Sequence, residues 1–342
     1  MWPMTVTLGV ALVGAAALTP AVRALSWRLG FLDQPEARKL HAKATPLLGG
    51  VAVAGAMLLA LLVAWARGGA HPGWGTALGL CAALGLGLVD DRVGMGPRVK
   101  LSGQLLTGVC LILDGQLARV SGWAPLDVAL TLFWVVALMN AINFLDNMDG
   151  IAAGIGVVAG LSFAVLAVRA GDVPGALLGV ALAGACGGFL IFNFSPASIF
   201  LGDAGSLLVG AALARLSLGA ARGQVAGLGP LVALLILAYP VFDITFVTAV
   251  RLLEGRKIYQ GGRDHSSHRL DGVLHDHRAT ALVVYALCLA LSGLALAVHS
   301  SARASVALAA VAGVGVFFLG LGVGLARVGT SPQAAGRGPR GG

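Results

Sequence analysis

Eleven apolar segments divide the chain, and they constrain its fold more than any other feature of the sequence. A helix that spans the hydrocarbon core of a bilayer needs about 20 apolar residues, within a range of roughly 17 to 25. We therefore predict an all-α integral membrane protein with about eleven transmembrane helices. The predicted spans are residues 4–22, 47–66, 74–89, 101–113, 126–145, 150–169, 175–194, 206–220, 228–250, 279–299 and 303–326.

The composition agrees with a membrane protein and argues against several other classes. Charged residues make up 11% of the chain and hydrophobic residues 58%, whereas a soluble domain carries about 25% charged residues. The four cysteines all lie inside apolar segments, so the sequence predicts neither a disulfide framework nor a cysteine metal cluster. The net charge of +8 is attributed to loops at the membrane surface. Aromatic residues make up 6% of the chain, so no nucleic-acid partner is expected.

The positions of Lys and Arg predict the orientation of the chain. If the spans alternate in direction, the loops on one side hold 17 basic residues and those on the other side hold 5. The basic side is the cytoplasmic side, so we predict an N-terminus outside the cell and a cytoplasmic C-terminus. We treat residues 1–329 as one polytopic membrane domain and predict that residues 330–342, rich in Gly, Pro and Arg, are disordered.

The segment 140–151 carries polar residues between two apolar segments, on the predicted cytoplasmic side. It contains Asn143, Asp146 and Asp149. Two carboxylates three residues apart lie on one face of a helix end. The alternative is a polar turn in which the aspartates cap a helix. Because each polar group beside a bilayer costs free energy, so many in one segment favour a functional site.

Two further motifs place carboxylates on the same side. Asp90 and Asp91 end the third span, and adjacent carboxylates repel each other unless a cation or hydrogen-bond donors compensate them. Mg²⁺ takes such ligands together with substrate phosphates. Asp203 lies between glycines after a polar stretch that begins at Asn193, and glycine lets a ligand approach the backbone closely. The alternatives are a solvated ion pair for the first motif and a helix N-cap for Asp203.

A basic loop follows the ninth span and contains two histidines. Arg263 and Arg269 can bind phosphate through bidentate hydrogen bonds. His265 and His268 can bind phosphate or a metal. A zinc site is one alternative, with His275 and His277 as further ligands, but the spacing matches no common zinc pattern. A loop that sets the topology and contacts anionic lipid is another alternative.

Asp243 lies inside the apolar segment 228–250, where a carboxylate is costly unless it is paired. Arg251 is predicted to be its partner, and Asp243 is predicted to be structural or to support a residue of the site, rather than to be catalytic. A second basic loop, residues 33–50, precedes the second span. We expect it to anchor the topology or to attract an acidic substrate.

Taken together, these motifs resemble those of the bacterial polyprenyl-phosphate N-acetylhexosamine-1-phosphate transferases. This group is glycosyltransferase family 4 and includes the undecaprenyl-phosphate N-acetylglucosamine-1-phosphate transferases. The matching segments appear in the family's order: Asp33 to Gly50, Asp90 to Gln104, Asn140 to Gly154, Asn193 to Ser206 and Arg263 to Leu270. The family also has eleven spans with the N-terminus outside.

The resemblance implies an enzyme of cell-envelope glycan synthesis at its first membrane step. Such an enzyme transfers a sugar 1-phosphate, here expected to be N-acetylglucosamine 1-phosphate, from a UDP-sugar to undecaprenyl phosphate and releases UMP. The implied cofactor is Mg²⁺, with Mn²⁺ as its alternative. The implied location is the bacterial inner membrane, with the active site on the cytoplasmic face of the bilayer. The resemblance leaves a homodimer open.

The resemblance also assigns roles to individual residues. The implied catalytic residues are Asp90, Asp91, Asp203 and His265. The implied substrate-binding residues are Lys100, Asn143, Asp146, Asp149, Asn193, Arg263 and His268. The implied metal ligands are Asp203, Asn193, Asp90 and Asp91.

One position departs from the family pattern and bears on the substrate. Ser267 stands where the family commonly has the first of two adjacent histidines, and the three-histidine run of the muramoyl-pentapeptide phosphotransferases is absent. We therefore favour an N-acetylglucosamine donor and keep the muramoyl-pentapeptide donor as the alternative. A lipid-binding scaffold with an incomplete site and a secondary transporter are alternatives of other classes. Transporters normally place charged sites near the bilayer midplane between repeats.

Overall fold

A computed structural model of the chain describes residues 2–33, 44–222, 228–258, 262 and 264–328. The predicted disordered tail, Arg263 and most of the basic loop 33–50 lie outside these residues. Two short strands, β1 (Leu32–Asp33) and β2 (Thr45–Pro46), pair in antiparallel fashion. The helices in the described part of the chain are α1 (Trp2–Leu29), α2 (Gly49–Ala66), α3 (Trp74–Val93), α4 (Pro97–Leu113), α5 (Ala124–Leu145), α6 (Ile151–Arg169), α7 (Val173–Asn193), α8 (Gly202–Arg222), α9 (Leu228–Ile236), α10 (Ala238–Leu253), α11 (Ser266–Leu274), α12 (His277–Ser301) and α13 (Ala304–Ala326).

The structure confirms an all-α, multi-pass membrane protein, and it confirms the span count in part. Eight helices are long and apolar enough to cross a membrane, and α9 with α10 adds a ninth if this bent pair is one span. The other two predicted spans coincide with α3, whose last turn carries Asp90, Asp91 and Arg92, and with α4, which has 17 residues. The count of eleven and the orientation of the termini stay predictions.

The predicted span 228–250 is not one straight helix. It divides into α9 and α10, which are bent by 72° relative to each other. Pro240 lies one turn beyond the break. A proline in a helix has no N–H for the carbonyl four residues earlier, and its ring clashes with that carbonyl. Because that carbonyl belongs to Ile236, the last residue of α9, the proline accounts for the position of the break.

Helix α8 lies at the centre of the bundle, and close approach at two glycines fixes its neighbours. In the apolar 18-residue stretch of α8, 94% is buried inside the protein, whereas the corresponding share in the peripheral α13 is 11%. A Cβ atom on Gly50 in α2 would lie 2.2 Å from the Gly205 nitrogen. A Cβ atom on Gly87 in α3 would lie 2.3 Å from the Ala204 nitrogen. The backbones of α2 and α3 therefore touch the first turn of α8.

We expect Gly87→Ala to destabilise the protein by about 1–3 kcal/mol, the usual cost of overpacking a tight contact. The added methyl group would meet backbone atoms of Asp203 and Ala204 at 2.3 Å, so α3 would have to move away from α8. Gly85→Ala in the same helix is the matched control, because nothing lies within 4 Å of its Cβ position. Thermal unfolding of the purified variants measures both effects, and equal melting temperatures for the two variants would contradict the packing argument.

Candidate active site

Four helices bring polar side chains together around Lys100, at the first turn of α4. The Lys100 Nζ atom lies 2.7 Å from Asp90 Oδ2 and 2.7 Å from Asp203 Oδ2. It also donates a hydrogen bond to Asn143 Oδ1 at 3.3 Å. We call these four residues the Lys100 cluster. The three motifs predicted from separate segments of the sequence therefore meet in one site, on one face of the bundle.

Asp203 is held inside this cluster by both of its carboxylate oxygens. Its Oδ2 atom accepts from Lys100, and its Oδ1 atom accepts from Asn143 Nδ2 at 2.6 Å. Asn143 Nδ2 also donates to Ser206 Oγ at 2.9 Å, which fixes the amide against the next turn of α8. Both acidic oxygens thus face the cluster, where a substrate or a cation can be bound.

Asp91, and not Asp203, caps the N-terminus of α8. Asp91 Oδ1 accepts from the Asp203 backbone N–H at 2.8 Å, and Asp91 Oδ2 accepts from the Ala204 N–H at 3.1 Å. The N-terminus of a helix favours a negative charge of this kind. The N-cap alternative for Asp203 is therefore wrong. The adjacent Asp90 is compensated separately, by Lys100 and by the Met95 N–H at 2.6 Å.

The residues 146–150, here called the carboxylate loop, are tied to the segment that leads into α8. Asp149 Oδ2 accepts from the Ala197 N–H at 2.9 Å. Asn193 Oδ1 accepts from the Gly150 N–H at 3.1 Å, and its Nδ2 donates to Ile199 O at 3.0 Å. Asn193 is 2% exposed. Its contacts hold the loop in place, and its role as a metal ligand stays a prediction.

The predicted pair of Asp243 and Arg251 does not form. Arg251 instead makes a bidentate pair with Asp264, with N···O distances of 2.9 and 2.8 Å. Asp243 accepts from His265 Nδ1 at 2.9 Å. Residues eight positions apart on a helix are separated by about 12 Å along its axis, so Asp243 and Arg251 are out of reach of each other. The turn before α11 folds back along α10 and supplies both partners.

The residues 264–268, here called the histidine turn, lie beside the carboxylate loop. Ser267, which is fully buried, donates from Oγ to Asn147 Oδ1 at 3.0 Å. The rings of His265 and His268 are in edge contact, with centroids 6.0 Å apart. Both predicted histidines therefore lie in the turn that Ser267 joins to the carboxylate loop, and their roles stay predictions. The Asn147 contact was missed from the sequence, although Asn147 stands between the two predicted aspartates.

Arg269 does not face a phosphate site. Its NH1 atom donates to the carbonyl oxygens of Leu325, Ala326 and Val328 at 2.8–3.2 Å. The side chain is 6% exposed, and it provides hydrogen-bond donors for the backbone carbonyl groups at the C-terminal end of α13. The expectation that Arg269 binds phosphate is therefore wrong. Arg263, the other arginine of this loop, lies outside the described residues.

Comparison with known proteins decides the family of the chain. Residues 74–221, which run from α3 to α8, match the profile of glycosyl transferase family 4. A decaprenyl-phosphate N-acetylglucosaminephosphotransferase of Mycobacterium tuberculosis is 35% identical over 81% of this chain and 79% of that relative. The chain belongs to glycosyl transferase family 4. The resemblance inferred from the motifs is thereby confirmed.

Two other relatives belong to the same comparison. A probable undecaprenyl-phosphate N-acetylglucosaminyl 1-phosphate transferase of Bacillus subtilis is 32% identical over 85% of this chain and 84% of that relative. A phospho-N-acetylmuramoyl-pentapeptide-transferase of Desulforudis audaxviator is 38% identical over 62% of this chain and 75% of that relative. The relatives of this chain thus include proteins named for N-acetylglucosamine and a protein named for N-acetylmuramoyl-pentapeptide.

The Lys100 cluster of this family 4 protein has the oxygen donors that a hard divalent cation takes. Asp90, Asp203 and Asn143 place three oxygens within 3.3 Å of the Lys100 ammonium. Carboxylate and amide oxygens are ligands of Mg²⁺, so the donor chemistry fits this ion. In the part of the chain that the structure describes, no three His, Cys, Asp or Glu side chains are already placed to hold a metal.

The surroundings of Asp146, a carboxyl group of the carboxylate loop, disfavour its ionised form. Burial raises the pKa of Asp146 well above its ordinary value, and the nearby charges of Asp203, Asp91 and Asp149 raise it further. A hydrogen bond from the Gly202 N–H opposes this shift. The pKa of Asp264 is shifted in the opposite direction. Burial alone would raise the pKa of Asp264, but hydrogen bonds and charge from Arg251 hold it well below its usual range.

We expect Asp146→Asn to raise the melting temperature at about pH 8 and to lose this advantage as the pH falls towards about 5. The folded protein holds the Asp146 proton more tightly than the unfolded chain does. Wild type therefore loses stability as the pH rises through the folded-state pKa, and the neutral amide does not. Melting curves without divalent cations measure the difference between the two proteins.

Asp264→Asn is the control for this prediction, because the expected change in stability has the opposite sign. Its lowered pKa stabilises the folded protein above the unfolded-state pKa, and this contribution is lost as the pH falls. The Asp264 variant should therefore be less stable than wild type at neutral pH, with a smaller deficit in acid. If Asp146→Asn instead lowered the melting temperature across the whole range, the burial argument for Asp146 would be wrong.

Proposed function

We propose that the protein transfers N-acetylglucosamine 1-phosphate from UDP-N-acetylglucosamine to undecaprenyl phosphate and releases UMP. The observation that carries this proposal is the Lys100 cluster, in which two carboxylates, an amide and an ammonium converge at one face of a membrane helix bundle. A lipid-borne acceptor and a water-soluble donor can meet at such a face. The names of the Mycobacterium tuberculosis and Bacillus subtilis relatives support the same reaction class.

In the proposed reaction, an oxygen of the acceptor phosphate forms a bond to the sugar-bearing phosphorus of the donor. The bond from that phosphorus to the bridging oxygen breaks, and UMP leaves with the electron pair. Positioning and charge neutralisation supply most of the catalysis in phosphoryl transfer. A phosphate monoester has its second pKa near 6 and is mostly dianionic at pH 7, so a strong general base is not required.

The chain's own residues have distinct parts in this proposal. Asp203 and Asp90 would hold Mg²⁺, with Asn143 beside them, and the bound ion would supply charge neutralisation for the diphosphate. Lys100, which contacts both carboxylates in this structure, would neutralise a phosphate charge beside the ion. Asp91 positions Asp203 by capping α8. We propose direct transfer, because the Asp91 carboxylate is already engaged by two backbone N–H groups.

The histidine turn and the carboxylate loop would bind the donor. Asp146 and Asp149 lie in a loop that is fixed to the segment leading into α8, and Ser267, between His265 and His268, joins the histidine turn to the same loop. We propose that the histidines, with Arg263, contact the diphosphate. Mn²⁺ is the proposed substitute for Mg²⁺. Arg263 lies outside the described residues, so its assignment rests on the sequence.

A second donor is kept because a specific observation favours it. The Desulforudis audaxviator muramoyl-pentapeptide relative is 38% identical, although the match covers 62% of this chain. One observation argues against the pentapeptide donor. The turn has Ser267 in place of a third histidine, and this serine is buried and hydrogen-bonded to Asn147. We therefore propose the N-acetylglucosamine donor first.

The test is a donor competition on purified protein in detergent with Mg²⁺ and undecaprenyl phosphate. UDP-N-acetylglucosamine and UDP-N-acetylmuramoyl-pentapeptide are supplied at equal concentration, and each lipid product is quantified. We expect the N-acetylglucosamine product to dominate. A parallel series with decaprenyl phosphate tests the acceptor length. Product from the pentapeptide donor alone would overturn the proposed sugar, and no product with either donor would favour the transporter alternative.

The active site is proposed to face the cytoplasm, and cysteine labelling tests this placement. All four native cysteines are first replaced by alanine. Gly96→Cys then lies beside the Lys100 cluster, at an exposed position with nothing within 4 Å of its Cβ. Ser301→Cys lies exposed at the far end of α12. In intact cells we expect an impermeant maleimide to label Ser301→Cys and to spare Gly96→Cys; the reverse pattern would contradict the proposed orientation.

A further inference from the structure

Asp243 is a buried carboxylate that the proposed mechanism does not use. It lies in α10, its side chain is fully buried, and its partners all come from the turn that opens α11. Its Oδ2 atom accepts from His265 Nδ1 at 2.9 Å. Its Oδ1 atom accepts from the Ser266 N–H at 2.8 Å and from Ser266 Oγ at 2.5 Å. A carboxylate buried in this way is stabilised by the donors that it holds.

We propose that Asp243 is a positioning residue for His265, which holds the ring so that Nε2 faces the donor diphosphate. This inference rests on the proposed function for the identity of the ligand. The carboxylate determines the tautomer as well as the orientation. An ionised carboxylate only accepts hydrogen bonds, so the ring nitrogen facing it must carry the proton. His265 Nδ1 is therefore the protonated nitrogen, and Nε2 is the nitrogen left to the site.

Ring contacts and the neighbouring serines fix the remaining freedom of this imidazole. The Phe144 ring meets His265 edge-on, with centroids 5.5 Å apart. The Ser266 hydroxyl is 3.2 Å from the Tyr239 hydroxyl, which links the turn to the first residues of α10. Ser267 joins the turn to Asn147 in the carboxylate loop. The ring is thus held from the α10 side and placed beside the loop proposed to bind the donor.

The charge of Asp243 suits an imidazole that meets a diphosphate. When Nε2 carries a proton, the ring is a cation between two anions, the Asp243 carboxylate on one side and a donor phosphate oxygen on the other. Nε2–H then donates to that phosphate oxygen, a charge-assisted hydrogen bond. Histidines that bind ligands through one ring nitrogen commonly donate the other N–H to a carboxylate, which fixes the tautomer.

Asp243→Asn makes the decisive change, because it keeps the size and replaces one acceptor by a donor. The Ser266 backbone N–H needs an acceptor and cannot rotate away, so the oxygen of the introduced amide should turn to Ser266. The amide NH₂ group then faces His265 Nδ1 and requires that nitrogen to be unprotonated. We expect the neutral ring to change from the Nδ1–H to the Nε2–H tautomer.

The direct test is ¹⁵N NMR of histidine side chains in the full-length protein, with His265 assigned by its loss in His265→Gln. Without ligand, wild type should show a protonated Nδ1 at His265. With UDP bound, both nitrogens should be protonated. In Asp243→Asn, Nδ1 should lose its proton. An unprotonated Nδ1 in the wild type would overturn the proposal, whether or not the protein proves to be a transferase.

Kinetics separates positioning from a merely structural role. Loss of a carboxylate behind a histidine ligand costs about 10- to 100-fold in metal sites, and we expect a similar fall in kcat for Asp243→Asn. In a His265→Gln background, the same substitution should have no further effect on kcat. Asp127→Asn is the matched control, because Asp127 is also a buried carboxylate that accepts from three donors, and it lies at the other end of α5, away from the site. It should lower thermal stability and keep kcat, and an equal kcat loss in both variants would reject the positioning role.

Discussion

Asp203→Asn is expected to lower kcat by at least about a hundredfold, with little change in melting temperature. Losses of this size follow when one preorganised electrostatic group of an active site is removed. Asn keeps the size of the side chain and one oxygen but removes the charge that faces Lys100. Asp203 is about one-third exposed, with a side-chain exposure of 31%, so its ion pair should contribute no more than about 1 kcal/mol to stability. Turnover is measured on purified protein at saturating Mg²⁺, with thermal unfolding recorded alongside.

Asp127→Asn is the structural contrast for this experiment. Asp127 lies at the opposite face of the bundle and accepts from the Val120 N–H, the Ser121 N–H and the Ser121 hydroxyl. Its loss should lower the melting temperature, because these donors lose a charged acceptor, and it should leave the turnover of folded molecules unchanged. If Asp203→Asn behaved like Asp127→Asn, with normal turnover and lower stability, Asp203 would be a structural residue.

Lys100→Met is the second substitution with a large expected effect. It leaves oxygens of Asp90 and Asp203 facing the same point without the ammonium that lies 2.7 Å from each of them. We expect kcat to fall at least about a hundredfold, because a charge that neutralises phosphate is lost. We also expect a lower melting temperature without divalent cations and a larger stabilisation by Mg²⁺ than in wild type, since the ion would relieve the repulsion between the carboxylates.

Arg98→Met controls for the removal of a positive charge from the same helix turn. Arg98 is exposed and lies two residues before Lys100 in α4. It should change neither turnover nor the response to Mg²⁺ by more than a small factor. The two melting temperatures of each variant, with and without Mg²⁺, are compared on the same preparation. An unchanged Mg²⁺ response in Lys100→Met would mean that the cation binds elsewhere than the Lys100 cluster.

The residues that meet at the site were largely predictable, because the alternation of the predicted spans put every motif on the same predicted side of the membrane. Asp90, Asn143 and Asp203 each stand at the end of an apolar segment, and the structure brings all three to Lys100. The cap that Asp91 forms on α8 was not predictable. It joins residues more than a hundred positions apart and depends on how closely α3 approaches α8 at Gly87.

Local spacing misled the interpretation in two other places. Asp243 and Arg251 share a helix, but each finds its partner in the histidine turn, which folds back from beyond the helix end. The apolar segment 228–250 suggested one span, because hydropathy alone does not register a break. Pro240 was the available signal, since proline disfavours a continuous helix at this position.

We expect this membrane protein to move the sugar-bearing phosphate of the donor, and not the sugar alone, onto a lipid. Purified protein in liposomes containing undecaprenyl phosphate is given UDP-N-acetylglucosamine with ³²P in the sugar-bearing phosphate and ³H in the uridine, together with Mg²⁺. We expect ³²P in the organic phase in an amount equal to that of ³H-UMP in water, and we expect Asp203→Asn to lower both at least about a hundredfold. Release of ³H-UMP without ³²P-labelled lipid, or no ³H-UMP at all, would contradict this expectation.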